Sequence, residues 1–201
     1  MSDWDLGGIA LLGVFHGVNP AMGWLLAAAV GFQAGSRRAL LLALVPIALG
    51  HATSVAVTIG LVEELRVVAS DRLPRLAAAG VLAALAVWIL LRRHRHGRWI
   101  GMRFGKLELG LWSFLVSSAH GAGLMLVPFV MGVRVRDASA FAGTGLAASL
   151  HTATMAVTAA AVALLVYDVI GLGVLRRAWV DLDRVWAVAL LGGAALTLFV
   201  A

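Results

Sequence analysis

Six stretches of this chain are almost free of charge, and they define its architecture. Residues 6–32, 39–62, 76–91, 138–167 and 185–201 contain no Asp, Glu, Lys or Arg, and 107–133 is interrupted only by Glu108. Most are 17 to 30 residues long. At about 1.5 Å of rise per residue, a helix of that length crosses a hydrocarbon layer of roughly 30 Å. The pattern predicts an all-α integral membrane protein with six transmembrane helices, the short third span being extended by Leu73 and Pro74.

Composition agrees with this pattern. Hydrophobic residues make up 62% of the 201 and charged residues 13%, and the mean hydropathy is +0.97, well outside the range of soluble domains. The chain has no cysteine, which excludes a disulfide framework, a thiolate metal site and an iron–sulfur cluster. Its isoelectric point near 11.4 does not point to nucleic acid, because most basic residues sit in short loops beside apolar segments. Anionic lipid headgroups are the expected partner of those loops.

The opening Met1-Ser2-Asp3-Trp4-Asp5 is acidic, unlike the start of a cleavable signal peptide, so the first span is read as part of the mature protein. The first, third and fifth loops hold eleven Lys and Arg residues against five on the opposite side. By the positive-inside rule the odd loops face the cytoplasm of a cell membrane and both termini lie outside.

The chain also repeats itself. Leu49-Gly50-His51-Ala52-Thr53-Ser54-Val55-Ala56-Val57 matches Ser149-Leu150-His151-Thr152-Ala153-Thr154-Met155-Ala156-Val157 at His, Ala and Val, and His16-Gly17 recurs as His120-Gly121. Each half then has three spans, repeat one at 6–92 and repeat two at 107–201, joined by the basic loop 92–106. An odd number of spans per half makes this a 3+3 inverted repeat within a single transmembrane domain, an architecture of many secondary transporters.

Four histidines, His16, His51, His120 and His151, fall near the centres of four different spans. A polar imidazole is costly at that depth, so four at one level mark a candidate binding site. Asn19, Ser54 and Thr154 each follow a histidine by three residues and share its helix face, adding an oxygen beside the ring. Ser54 and Thr154 can equally bond back to their own helix. Pro20 removes a backbone donor and crowds the carbonyl of His16, while Gly17 permits unwinding, so residues 16–20 are expected to break the first span. Gly121 and Gly123 permit the same in the fourth. Pro46 and Pro128 are expected to be tolerated kinks.

At these residues the chain resembles a known family. His16-Gly17-Val18-Asn19-Pro20-Ala21-Met22 resembles the His-Ala-x-Asp-Ala-Asp-His signature of the nickel/cobalt transporters. Leu49-Gly50-His51-Ala52-Thr53-Ser54-Val55 resembles their Leu-Gly-His-Ser-Thr-Val-Val signature in the next helix. The six-span layout is similar to that of the wider lysine-exporter superfamily. The resemblance implies a metal transporter with His16 and His51 as ligands; Asn19, Ala21 and Met22 stand where the family has its two Asp residues and its second His.

Neutral imidazoles favour nickel, cobalt, zinc and copper over calcium and magnesium, and a thioether from Met22 or Met125 suits copper(I). Without carboxylates, a singly charged ion is better balanced than a doubly charged one. Histidine, with an unperturbed pKa of about 6.5, suits proton exchange, and no Walker-type loop couples the chain to nucleotide hydrolysis. His94 and His96 lie among four arginines that repel cations, so loop 92–106 is expected to face lipid and solvent. Three functions stay open: a secondary transporter of a transition-metal ion, an exporter of a small organic or anionic solute, and a membrane haem protein with bis-His sites. No enzymatic activity is expected, and the architecture is compatible with a homo-oligomer.

Overall fold

Proline and glycine divide the first apolar segment into two helices. In the computed structural model, which describes residues 3–68, 72–91, 105–130, 138–170 and 182–199, α1 (Asp3–Val18) ends two residues before Pro20. Asn19 is extended at φ −72° and ψ 122°, the conformation that a following proline imposes. Its Oδ1 accepts the Ala21 N–H at 2.7 Å and starts a 3₁₀ turn, Pro20–Met22. Gly23 then takes a left-handed φ of 111°, open to glycine at little cost, and α2 (Trp24–Ala34) follows. The Trp24 indole N–H donates to the Val18 carbonyl at 2.8 Å, satisfying a helix-end acceptor left by the break.

The fourth segment breaks at the equivalent place. α5 (Lys106–Ala119) starts with Glu108 accepting the Gly105 N–H at 2.8 Å. It ends in a Schellman motif: Gly121, at φ 66°, donates to the Ser118 carbonyl, and Ala122 donates to the Ser117 carbonyl. A second 3₁₀ turn, Leu124–Leu126, leads into α6 (Val127–Val130). The offset of 104 residues that places His16 on His120 also places Pro20–Met22 on Leu124–Leu126.

The remaining segments are continuous. α3 (Arg37–Val68) runs through Pro46, α4 spans Arg72–Leu91, α7 (Ala138–Leu165) closes in a π-helical turn at Val166–Ile170, and α8 spans Leu182–Phe199. No strand occurs among the described residues. Among the described residues, two helices are long and apolar enough to cross a membrane, Arg37–Leu65 and Gly143–Val169. Segments one and four are each divided by their breaks. The basic loop residues 92–104, with His94 and His96, lie outside the described residues, as do Arg134, Arg136, Arg176 and Arg177.

Packing follows a reciprocal scheme in which α1 lies on α7, α5 lies on α3, and α4 lies on α8. Small residues bring the backbones together, as in membrane helix pairs. A Cβ on Gly17 would lie 2.5 Å from the Met155 carbonyl oxygen, and one on Gly50 would collide with the Gly110 carbonyl. One end of the fold joins α3 to the π turn through Arg37 and Asp168, 2.8 Å apart, with Phe32 against Tyr167. At the other end Gly8 of α1 faces Phe129 of α6.

Polarity runs inside out. Leu11 is 68% exposed, Leu91 76% and Val157 70%, whereas His16, Asn19, His51, Ser54, Ser113, Ser117 and His151 are buried. An apolar surface of this extent needs a non-aqueous neighbour.

Candidate functional site

Three of the four mid-span histidines meet. His16 comes from the last turn of α1, His51 from the middle of α3 and His151 from the middle of α7, and all three are 0% exposed. Their ring centres are 5.0 Å apart for His16 and His151, 5.3 Å for His51 and His151, and 5.6 Å for His16 and His51. The close packing that admits them depends on glycine, since Gly13 and Gly17 let α1 approach the His151 and Met155 carbonyls, and Gly50 lets α3 meet α5.

Each ring is held through Nδ1 by an oxygen. The Nδ1 of His16 donates to the Leu12 carbonyl at 2.8 Å, and that of His151 lies 3.4 Å from the Ile9 carbonyl. A carbonyl only accepts, so a neutral ring in either contact carries its proton on Nδ1 and a lone pair on Nε2. The Nδ1 of His51 is 2.8 Å from the Ser117 hydroxyl, which in turn points at the Met22 sulfur 4.0 Å away. A serine that donates to sulfur receives the His51 proton, giving the same tautomer. The Nε2 atoms of His51 and His151 are buried with no hydrogen-bond partner among the described residues. This pattern, one nitrogen fixed by a neighbour and the other offered, is that of a metal-ligating histidine.

His120 is placed by a different element, α5. It caps α5 and is half-buried, and its Nδ1 donates to the Val116 carbonyl at 2.8 Å. That bond repeats the contact of His16 with Leu12 four residues back. His120 is near enough to His16 for an electrostatic interaction, but the three mutual ring contacts link His16, His51 and His151.

The expected oxygen partners are divided among other tasks. Asn19 is buried and caps the 3₁₀ turn with its Oδ1; the His16 carbonyl, expected to be freed by Pro20, accepts the Asn19 N–H at 3.2 Å. Ser54 reaches across to Ser118 at 2.9 Å, while Thr154 bonds the Leu150 and His151 carbonyls of its own helix. Met22 is buried beside Ser117, and Met125 is buried in the cluster of α4 and α8. Gly121 supplies the left-handed turn of the second break, and Gly123 packs against Thr58.

Ser113 and Ser117 do not stand out in the sequence, yet both serve the site. Ser113 donates to the Ile47 carbonyl at 2.7 Å, and Ser117 holds His51. They stand four residues apart on one face of α5, and Ser117 precedes His120 by three. A search for oxygens three residues before each histidine as well as after it finds Ser117, though not Ser113.

Three imidazoles bound through Nε2 at about 2.0 Å set their ring centres about 5.4 Å apart in a trigonal plane and about 5.1 Å apart at tetrahedral angles. The observed 5.0 to 5.6 Å brackets both values. The donor atoms themselves are not yet gathered: among the described residues no group of three or more His, Cys, Asp or Glu side chains is arranged to hold a metal ion. The ring spacing therefore matches a three-imidazole set, while the donor placement does not. No protein-family model, curated protein or solved structure matches the chain.

Proposed function

We propose that this protein is a secondary membrane transporter of a transition-metal ion, built as six spans in a 3+3 inverted repeat with both termini outside the cytoplasm. The observation that carries the reading is the His16–His51–His151 trio, with rings at ligand spacing and Nδ1 atoms anchored to oxygen. Supporting the repeat are the two breaks at one offset and the exchange of partners, α1 with α7 and α5 with α3. His16 and His120 both end a half-helix, where the carbonyls concentrate negative partial charge and favour a cation. The nickel/cobalt-transporter resemblance rests on the same His16 and His51.

A second reading, export of a small organic or anionic solute, is favoured by the ungathered donor atoms; the histidines would then serve as hydrogen-bond donors or as a proton relay. The haem reading gains nothing from rings packed as closely as 5.0 Å, since a macrocycle between two of them needs more room. Metal analysis of the purified protein tests the choice. The native protein should retain about one ion per chain, and His16→Ala, His51→Ala and His151→Ala should each lose it. Binding that survives loss of both His16 and His51 would overturn the metal reading in favour of the solute exporter.

A further inference from the structure

We propose that Phe32 and Arg37, gripping Tyr167 and Asp168, form a releasable latch over one end of the seam between the two helix couples, α1 with α7 and α3 with α5. The latch is independent of what the histidine trio binds and needs only that the couples can part. Each half of it is local. Phe32 lies in the last turn of α2 and Arg37 begins α3, on either side of a tight corner. In that corner Gly35 takes a left-handed φ of 58°, and the Ser36 hydroxyl accepts the Ala39 N–H at 3.3 Å. Tyr167 and Asp168 are neighbours in the π-helical turn Val166–Ile170. The corner therefore meets the π turn at two points, Phe32 against Tyr167 with ring centres 4.9 Å apart and Arg37 with Asp168 at 2.8 Å.

Packing, strength and helix geometry set this clasp apart from the contacts within the couples. Within each couple, glycine lets backbone touch backbone, Gly17 against the Met155 carbonyl and Gly50 against the Gly110 carbonyl. Beneath the clasp the facing surfaces are apolar and mostly small, with Ala159 and Ala163 of α7 packed among Ala28 of α2 and Leu40 and Ala43 of α3. Apolar faces gain little from each other in lipid, which receives them equally well, so directed side-chain contacts decide whether they stay together. The ion pair is weak enough to release: the Arg37 side chain is 68% exposed and that of Asp168 29%, and a pair so placed shifts an equilibrium by about fivefold at most. Bonding from i to i+5 fits one more residue into the π turn than an α-helical turn holds, and such turns gather at functional sites. Here the π turn carries both residues that the corner grips. The other end of the seam closes differently, with Gly8 of α1 facing Phe129 of α6, so releasing the clasp opens one end alone.

The chain has no cysteine, so single thiols report on each end of the whole protein in detergent. Ala163→Cys, at a position 0% exposed, lies on the clasp side of His151 in α7, and Ala147→Cys, also at 0%, lies on the other side. Ala159→Cys replaces the first reporter if that one misfolds. Labelling by a small maleimide is timed by mass, with the clasp native and with Asp168→Asn. Labelling of Ala163→Cys should become faster by about twofold to fivefold, with no change at Ala147→Cys. The charge swap Arg37→Asp with Asp168→Arg should bring the rate back to native. An unchanged rate at Ala163→Cys, an equal rise at both positions, or a swap that restores nothing would each overturn the latch. None of these outcomes bears on the ion reading, which metal analysis tests separately.

Discussion

His51 and Ser117 lie 2.8 Å apart, on α3 and α5, and this contact orients the histidine ring through its Nδ1. Ligand-orienting contacts of this kind typically contribute tenfold to a hundredfold in metal affinity. Ser117→Ala should therefore weaken ion binding by about tenfold, while Ser54→Ala, which loses only a bond to Ser118, should change it little. Equal effects in a competition titration would show that Ser117 does not orient the ring.

The proposed site can be tested at His120. It shares the backbone contact of His16 and stands outside the mutual ring contacts of the trio. His120→Ala should leave equilibrium ion binding within a few-fold of native, whereas His16→Ala should abolish it. Loss of binding in both variants, measured on monodisperse protein, would place His120 inside the site.

Pro20 and Pro46 should behave differently. Pro20 sets the extended Asn19 and begins the 3₁₀ turn, whereas α3 runs unbroken through Pro46. Pro20→Ala should reduce ion uptake or efflux in proteoliposomes by more than tenfold, and Pro46→Ala should leave it near native at equal abundance. Comparable activity in the two variants would mean that the break is not used.

Much of this is legible in the sequence, for identifiable reasons. His16, Gly17, Pro20 and the pair His51 and His151 stand out because polar or helix-breaking residues in an apolar run are rare and costly. The second break is foreshadowed only by Gly121 and Gly123, since no proline marks it; the repeat supplies the missing cue. What the sequence does not convey is register across helices. Whether His120 joins the other three depends on a rotation of α5 of less than one turn, and periodicity along one helix does not set that rotation. Asn19 departs from expectation for a related reason: an Asn before Pro serves the local turn first, and its distance from His16 in sequence says nothing of that competition.

Close contact at Gly50 gives a stability prediction. A methyl there meets the Gly110 carbonyl, whereas a methyl on Gly60 meets nothing within 4 Å. Gly50→Ala should cost about 1–3 kcal/mol, seen as a lower midpoint of thermal unfolding in detergent. Gly60→Ala should be neutral or slightly stabilising, by up to about 1 kcal/mol from helix propensity.

Orientation can be read from the Arg37–Asp168 contact, which joins the start of α3 to the end of α7. The chain lacks cysteine, so an Arg37→Cys, Asp168→Cys double variant offers the only thiols. A short bifunctional maleimide should cross-link them only when it can reach the cytoplasm, and a reporter fused after Ala201 should behave as extracytoplasmic. Cross-linking in intact cells by an impermeant reagent would reverse the proposed orientation.

The glycine contacts also decide which parts can part company. α1 is clasped to α7 and α3 to α5 with backbone against backbone, so each couple resists being split. The three imidazoles straddle the seam between the couples: His16 and His151 ride on one, His51 on the other. If the trio holds the cargo of a transporter, any motion that opens this seam withdraws one histidine from the other two, and a firm grip and an open gate would exclude each other.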